Sequence, residues 1–332
     1  MAKTKSHVLQ VVGKVMRNVP LSKNAMSICS ASLNQSTNSQ YSKHLDNFRL
    51  FCNNNDQHDY MTSSIENIVE YLTSLFNSGK SYSTINSARS ALSYFVVLRD
   101  NTNTDIGKHP LVTRFMRGVF KLRPPRPKYN STWDVNIVLS HLRGVDNKSC
   151  SIKQLTLKCA MLLALCTGQR VQTLEALRIS NLTAGENKRS FIVDKILKTS
   201  RPGHSNLVIN VCRYAEESII CPVACLDEYV NRTKVLRETQ DELFISFAKP
   251  YKSVSVQTIA RWLTLTLSAC GINKFYTAHS TRAASTSKAA SATDINTVLH
   301  MAGWASAKTF AKFYNKPVLE EAETFVNAVL KP

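Results

Sequence analysis

The stretch Pro124-Pro125-Arg126-Pro127-Lys128 constrains this chain more than any other. Proline fixes φ and removes a backbone donor, so neither a helix nor a strand runs through it. The stretch is held extended and separates two segments, each long enough to bury its own core. The expected organisation is a flexible basic arm at 1–30, a helical domain at 31–122, a proline-rich linker at 123–131, a second domain at 132–317 and a tail at 318–332.

Charge says what both segments face. The 332 residues carry 42 Lys and Arg against 23 Asp and Glu, a net charge of +19. Residues 1–130 contribute 17 basic and 7 acidic side chains, and 131–332 contribute 25 and 16. An excess shared so evenly predicts a polyanion held from two sides, with nucleic acid ahead of a membrane surface. No Asp or Glu occurs before Asp46. A mitochondrial presequence shares that composition but favours arginine, and here only Arg17 appears, so a basic arm on nucleic acid fits better. The longest apolar run, Leu155–Cys166, is too short to span a bilayer and contains Lys158, and no secretory signal is expected. Nine scattered cysteines, several within apolar runs, read as reduced, buried thiols of a cytosolic or nuclear protein. Cys221 and Cys225 are spaced like half a zinc site but lack a second pair, and are taken as core residues.

Apolar periodicity predicts a helix that starts after Ser36 or Thr37 and ends at Asn53-Asn54-Asn55-Asp56, with others from Ser63 or Ser64 to Gly79, after Ser81 or Ser83 through Phe95, and over 110–121. A further helix near 7–16 belongs to the arm. The second segment predicts helices near 133–143, 152–166, 170–178, 222–234 and from Ser255 to Gly271. Others start near Ser280, Thr293 and Ser306, and the last covers 318–330. Phe191–Leu197 and Asn206–Cys212 read as a β-hairpin around Lys198-Thr199-Ser200-Arg201-Pro202-Gly203. The fold class is therefore mainly α with a small β-hairpin or sheet, in two domains. Lys80 and Arg89 mark either a phosphate-binding face of the third helix or a solvated one. Lys121, Arg123, Arg126 and Lys128 flank the prolines, where they cross a phosphate backbone or form a weak nuclear-localisation cluster.

The side chains that carry chemistry lie toward the C-terminus. His279 and Arg282 share a helix face at a helix start, where free N–H groups favour phosphate, with Ser280 or Thr281 as the cap. Tyr314 follows Phe310 by four residues among Lys308, Lys312 and Lys316. At that spacing it is a core residue or a nucleophile, and a phenol needs neighbouring cations to favour phenolate. Trp304 after Gly303 is a core residue or an aromatic wall with one N–H donor. Arg170 opens a helix behind Thr167-Gly168, a costly place for a guanidinium unless it meets a partner or ligand. Lys198 sits on the hairpin lip.

The ordered set Arg170, Lys198, His279-x-x-Arg282, Trp304 and Tyr314 resembles the tyrosine recombinase family of integrases, over roughly residues 30–317. Lys198-Thr199-Ser200-Arg201, Cys221-Pro222-Val223, Ala278 to Arg282 and Ala302-Gly303-Trp304 are most similar to eukaryotic mobile-element recombinases of the Crypton or DIRS/Ngaro kind. The resemblance implies a helical core-binding domain followed by a mixed α+β catalytic domain. It implies that Tyr314 attacks a phosphodiester to give a 3′-phosphotyrosyl link and that Arg170 and Arg282 clamp the non-bridging oxygens. It further implies that Lys198 protonates the leaving 5′-oxygen, that His279 assists proton transfer and that Trp304 donates to the phosphate. Double-stranded DNA is the implied partner, bound by a homo-tetramer on paired sites in the nucleus, without ATP, metal or other cofactor and without a membrane. The implied DNA contacts are Lys80, Arg89, Lys121, Arg123, Arg126, Lys128 and Arg201. The tail docks on a neighbouring subunit or packs on its own domain. Departures from the family pattern are Thr173 where many relatives carry an acid, one extra residue between Trp304 and Tyr314, and Lys195 as a competitor for the acid role. A domesticated, non-cutting DNA-binding protein and a type IB topoisomerase-like enzyme are the alternatives.

Overall fold

The computed structural model describes residues 20–55, 59–99, 104–125, 128–198, 200–203, 205–304, 307–316, 326, 329 and 330. The expected helix at 7–16, Arg126 and most of the expected helix at 318–330 lie outside them. The chain divides into two units, 1–127 and 128–332, and the division falls within the proline stretch.

The first unit is helical. α1 (Lys23–Ser30) starts on Ser22, whose hydroxyl accepts from the Ala25 amide. It replaces part of the arm expected at 1–30, because Ser22 satisfies an amide that a helix start otherwise leaves unpaired. α2 (Gln35–Asn54) begins two residues before the earliest expected start, on the Asn34 cap. β1 (Thr62–Ser63) precedes α3 (Ile65–Asn77), which is capped by Ser64. α4 (Tyr82–Phe95) is capped by Ser81. β2 (Val97–Leu98) pairs in parallel with β1. A one-turn 3-10 helix at Ile106–Lys108 leads to α5 (Pro110–Leu122), whose proline takes the first-turn position where its missing N–H costs nothing. Phe48, Leu72, Ile85, Leu92 and Val112 form a shared core.

The second unit wraps helices around one apolar helix. α6 (Val135–Arg143) is followed by α7 (Ile152–Thr167), which opens with a reciprocal Ser151–Gln154 capping box. Lys158 is buried in α7, and its ammonium donates to the Val145 carbonyl, which explains how an apolar run tolerates a lysine. α8 (Val171–Glu175) stops three residues short of the predicted 178. The expected hairpin has a third strand: β3 (Leu182–Ala184), β4 (Lys188–Val193) and β5 (Leu207–Cys212) form an antiparallel sheet in that order. β3 is too short to show alternation. β4 ends at Val193 rather than Leu197, and β5 begins only at Leu207. The pair Phe191↔Ile209 is buried while Ile192 and Val208 face outward, the pattern of a sheet covered on one side.

α9 (Pro222–Thr233) and α10 (Val256–Ala269) pack on α7. α11 (Ala278–Ala290), α12 (Ile295–Ala302) and α13 (Ala307–Phe313) complete the unit. Cys221 and Cys225 are buried in the main core, as expected of packing residues. A separate small cluster joins Val298, Ala302, Trp304 and Phe310, with Tyr314 packed against it. Among the described residues, no helix is long and apolar enough to cross a membrane.

Candidate active site

α11 supplies one wall. Its N-cap is Thr277 rather than Ser280 or Thr281, so the helix starts two residues earlier than predicted. The Ser280 hydroxyl instead donates back to the Thr277 carbonyl at 2.7 Å and accepts from the Trp133 indole at 3.0 Å. Tyr129 and Ser131 bond to Thr277 and Tyr276 at 2.9 and 3.0 Å. Residues 129–133 thus strap the entry to α11 and fix where His279 and Arg282 begin.

Arg282 is 3% exposed and held hard. Its Nη1 donates to the Gly168 carbonyl at 2.5 Å and its Nη2 to the Ala302 carbonyl at 2.9 Å. Its guanidinium carbon lies 4.0 Å from the Trp304 ring and 5.3 Å from the Tyr314 ring. Burial first, then the charge of Arg170, pushes its pKa down to about 10, against an opposing effect of Tyr314. Among the described residues, none partners the buried Nε.

Gly168 explains the first of these bonds. It takes the left-handed conformation at φ +58, and an added Cβ would meet Thr286 at 3.0 Å. Only glycine turns the end of α7 at this spacing and presents its carbonyl to Arg282. Gln169 then donates to the Met301 carbonyl at 2.8 Å, which leads the chain to Arg170. Arg170 is half-buried and lines one cavity of about 560 Å³ with His279 and Arg282. Thr173 stands where the resemblance leads one to look for an acid, and Glu175 is engaged elsewhere. It pairs with Lys195 at 2.7 Å. That ion pair occupies Lys195. The lysine lies beyond the end of β4 and not inside a strand.

Lys198 is exposed between β4 and β5 and lines a second cavity with Arg201, Asn206 and Gly303. His279 keeps an exposed edge. Its pKa is lowered by partial desolvation and then by the positive charges of Lys128, Arg170, Arg282 and Lys198. Four cations therefore act on one imidazole. The Tyr314 ring is 6.3 Å from the His279 ring and 4.7 Å from Trp304. Trp304 also packs on Phe310 at 5.2 Å, and among the described residues none partners its buried indole N–H. The packing reading of Trp304 and Tyr314 holds, and both rings also lie beside Arg282. Trp304 belongs to the small cluster and faces Arg282, while Tyr314 packs on the same cluster from the turn after α13.

The remaining basic residues divide. Lys80, Lys121, Lys128 and Arg201 are exposed. Arg89, expected to be exposed, is half-buried and points toward the 3-10 helix, where Nη1 donates to Gly107. Arg123 stacks at 4.1 Å on Phe76 and donates to the Phe76 and Lys80 carbonyls, so its guanidinium is engaged within its own unit. Sequence reasoning missed Gln257 and Arg261, which line the cavity of Arg170 and His279. Their signal was legible: Gln257, Arg261 and Thr264 recur at helical spacing on the polar face of α10, of which only the apolar face was read. Among the described residues, no group of His, Cys, Asp and Glu gathers to hold a metal. The arrangement brings a fixed guanidinium, further cations, an imidazole of lowered pKa and a phenol together, groups whose chemistry suits a phosphate diester.

The Phage integrase family profile matches residues 140–320, and the profile for the N-terminal SAM-like domain of phage integrases matches residues 23–99. No curated protein matches the chain. Solved structures share the fold at low identity. XerH site-specific recombinase bound to a palindromic difH substrate is 14% identical, with TM-score 0.62 over 98% of this chain and 96% of that one. The Tn1549 transposon integrase in complex with transposon right-end DNA is 15% identical, with TM-score 0.58 over 98% and 99%. A lambda integrase dimer bound to a core site is 17% identical, with TM-score 0.56 over 92% and 76%.

Proposed function

Because the chain belongs to the phage integrase family, the tyrosine recombinases, we propose that it cuts and rejoins duplex DNA through Tyr314. The carrying observation is that Tyr314, Trp304, Arg282 and His279 meet within one chain. The Tyr314 oxygen attacks phosphorus and forms an O–P bond, and the bond from phosphorus to the 5′-oxygen breaks. The phenolic proton passes to His279, whose pKa burial and then the surrounding cations lower, which favours the neutral imidazole that can accept it. Lys198 gives a proton to the departing 5′-oxygen. Arg170 and Arg282 neutralise charge on the non-bridging oxygens, and the Trp304 N–H is available to one of them. The phosphotyrosyl link conserves the bond energy, so the same steps run backward onto another 5′-hydroxyl. That is strand exchange.

The biological setting is a proposal of the same reading. Site-specific exchange needs paired sites, which a tetramer supplies, and the +19 charge suits a chain that grips DNA from two sides. The motif details point to a eukaryotic mobile element acting in the nucleus. Incubation with a nicked duplex in EDTA tests the chemistry. A covalent protein–DNA adduct that disappears in Tyr314→Phe is expected. An intact, tightly bound duplex with no adduct would instead mark a DNA-binding protein that does not cut.

A further inference from the structure

The nucleophile packs on the smaller of the two apolar clusters of the second unit. Phe310, Trp304 and two aliphatic side chains form its cluster, and α13 is only seven residues long. Packing of that size does not hold a phenol to within a fraction of an ångström. A second constraint comes from α11. The Ser287 hydroxyl donates to the Tyr314 carbonyl at 2.8 Å and accepts from the Lys316 amide at 3.0 Å. One side chain thus closes both backbone groups that flank Asn315, just past the nucleophile. Ser287 lies five residues after Arg282, about 7.5 Å further along the same helix. The helix that carries His279 and Arg282 therefore also grips the backbone of Tyr314.

We propose that Ser287 is a positioning residue that commits Tyr314 to the active site of its own chain. The inference rests on the recombinase reading of Tyr314 and names the device that places it. The hydroxyl touches no reacting atom. It fixes the main chain from which the phenol projects, so its loss widens the range of positions the phenol samples. A misplacement of about 1 Å costs on the order of 100-fold in rate. Ser287 borders a cavity of about 520 Å³ with Trp133, Asn136 and Asn315, which leaves room for one methyl group.

Two measurements on the full chain test this. The first is the single-turnover rate of adduct formation on the nicked duplex, alongside DNA affinity. Ser287→Ala is expected to slow the step by about 100-fold with affinity unchanged. Ser287→Thr keeps the hydroxyl and restores most of the rate. Ser287→Cys keeps the volume with a weak donor and is slow, which covers the case in which the alanine variant folds poorly. The second is fluorine NMR of a fluorotyrosine installed in place of Tyr314, whose shift senses the Trp304 ring. The signal is expected to move toward that of free tyrosine in the Ala and Cys variants and to stay in place in Thr. A slowed rate with an unmoved signal, or a moved signal with an unchanged rate, overturns the proposal. If the wild-type chain forms no adduct, the recombinase reading fails, and the fluorine signal alone still decides whether Ser287 holds the tyrosine.

Discussion

Arg282 and Arg170 look alike in the sequence, each near the start of a helix, yet the structure treats them as opposites. Arg282 is buried, bonded to two carbonyls and stacked on an indole. Arg170 is half-buried, and among the described residues no carboxylate pairs with it. The same contrast runs through the site. Its inner wall is α11 with Gly168 and Ala302, fixed by the core. Its rim is Arg170, Lys198 on a loop, and Tyr314 on a small cluster. A fixed wall offers charge stabilisation without reorganisation. A looser rim lets Arg170 and Lys198 adjust to a bound group, while the main chain at Tyr314 is tied to α11 through Ser287.

Breaking the two arginines separately tests the contrast most severely. Arg282→Ala and Arg170→Ala are each expected to slow adduct formation by about 1000-fold. Only Arg282→Ala should also destabilise the fold, by about 2 kcal/mol, because it leaves two buried carbonyls unpaired. Chemical denaturation of both variants distinguishes the cases. Equal destabilisation would dissolve the wall-and-rim distinction. Lys198→Ala should cost about 100-fold. A duplex with sulfur in place of the 5′-bridging oxygen should recover that loss, since a thiolate leaves without a proton. The His279 effect is smaller, about 10-fold, and has a sign. Burial and four cations lower its pKa from the ordinary 6.5, so the neutral base persists as pH falls past 6.5 and the acid limb of the rate appears below that value. His279→Gln should flatten this limb. Glu175→Gln, which releases Lys195, is expected to change the rate least, within about twofold. A large gain would show that Lys195 shares the acid role.

Much of this was legible beforehand, for reasons visible in particular residues. Ser64, Ser81, Ser151 and Ser255 cap helices where the apolar pattern begins, because capping and periodicity are both local. Pairing was less legible. β3 has three residues and no alternation, and the start of α11 is set by tertiary bonds from Tyr129 and Trp133 that no local pattern announces. In the site, residue types and order could be read, but partners could not. Nothing in the sequence says that Glu175 occupies Lys195, that Arg123 bonds carbonyls of its own unit, or that Ser287 holds the backbone at Tyr314. Those facts depend on which chains of atoms meet in space.

The gathering of Lys128, Arg170, Lys198 and Arg282 about His279 has a thermodynamic side. Among the described residues no acidic side chain pairs with any of the four. Like charges confined together raise the free energy of the folded state, and the unfolded chain escapes that strain by spreading them apart. An anion seated among them removes the penalty in the folded state alone, so its binding energy adds to folding energy. The uncomplexed chain is in this sense the less complete molecule. Its resistance to heat should therefore rise with any polyanion it binds, and a protein warmed without one reports the stability of the charged, unliganded domain.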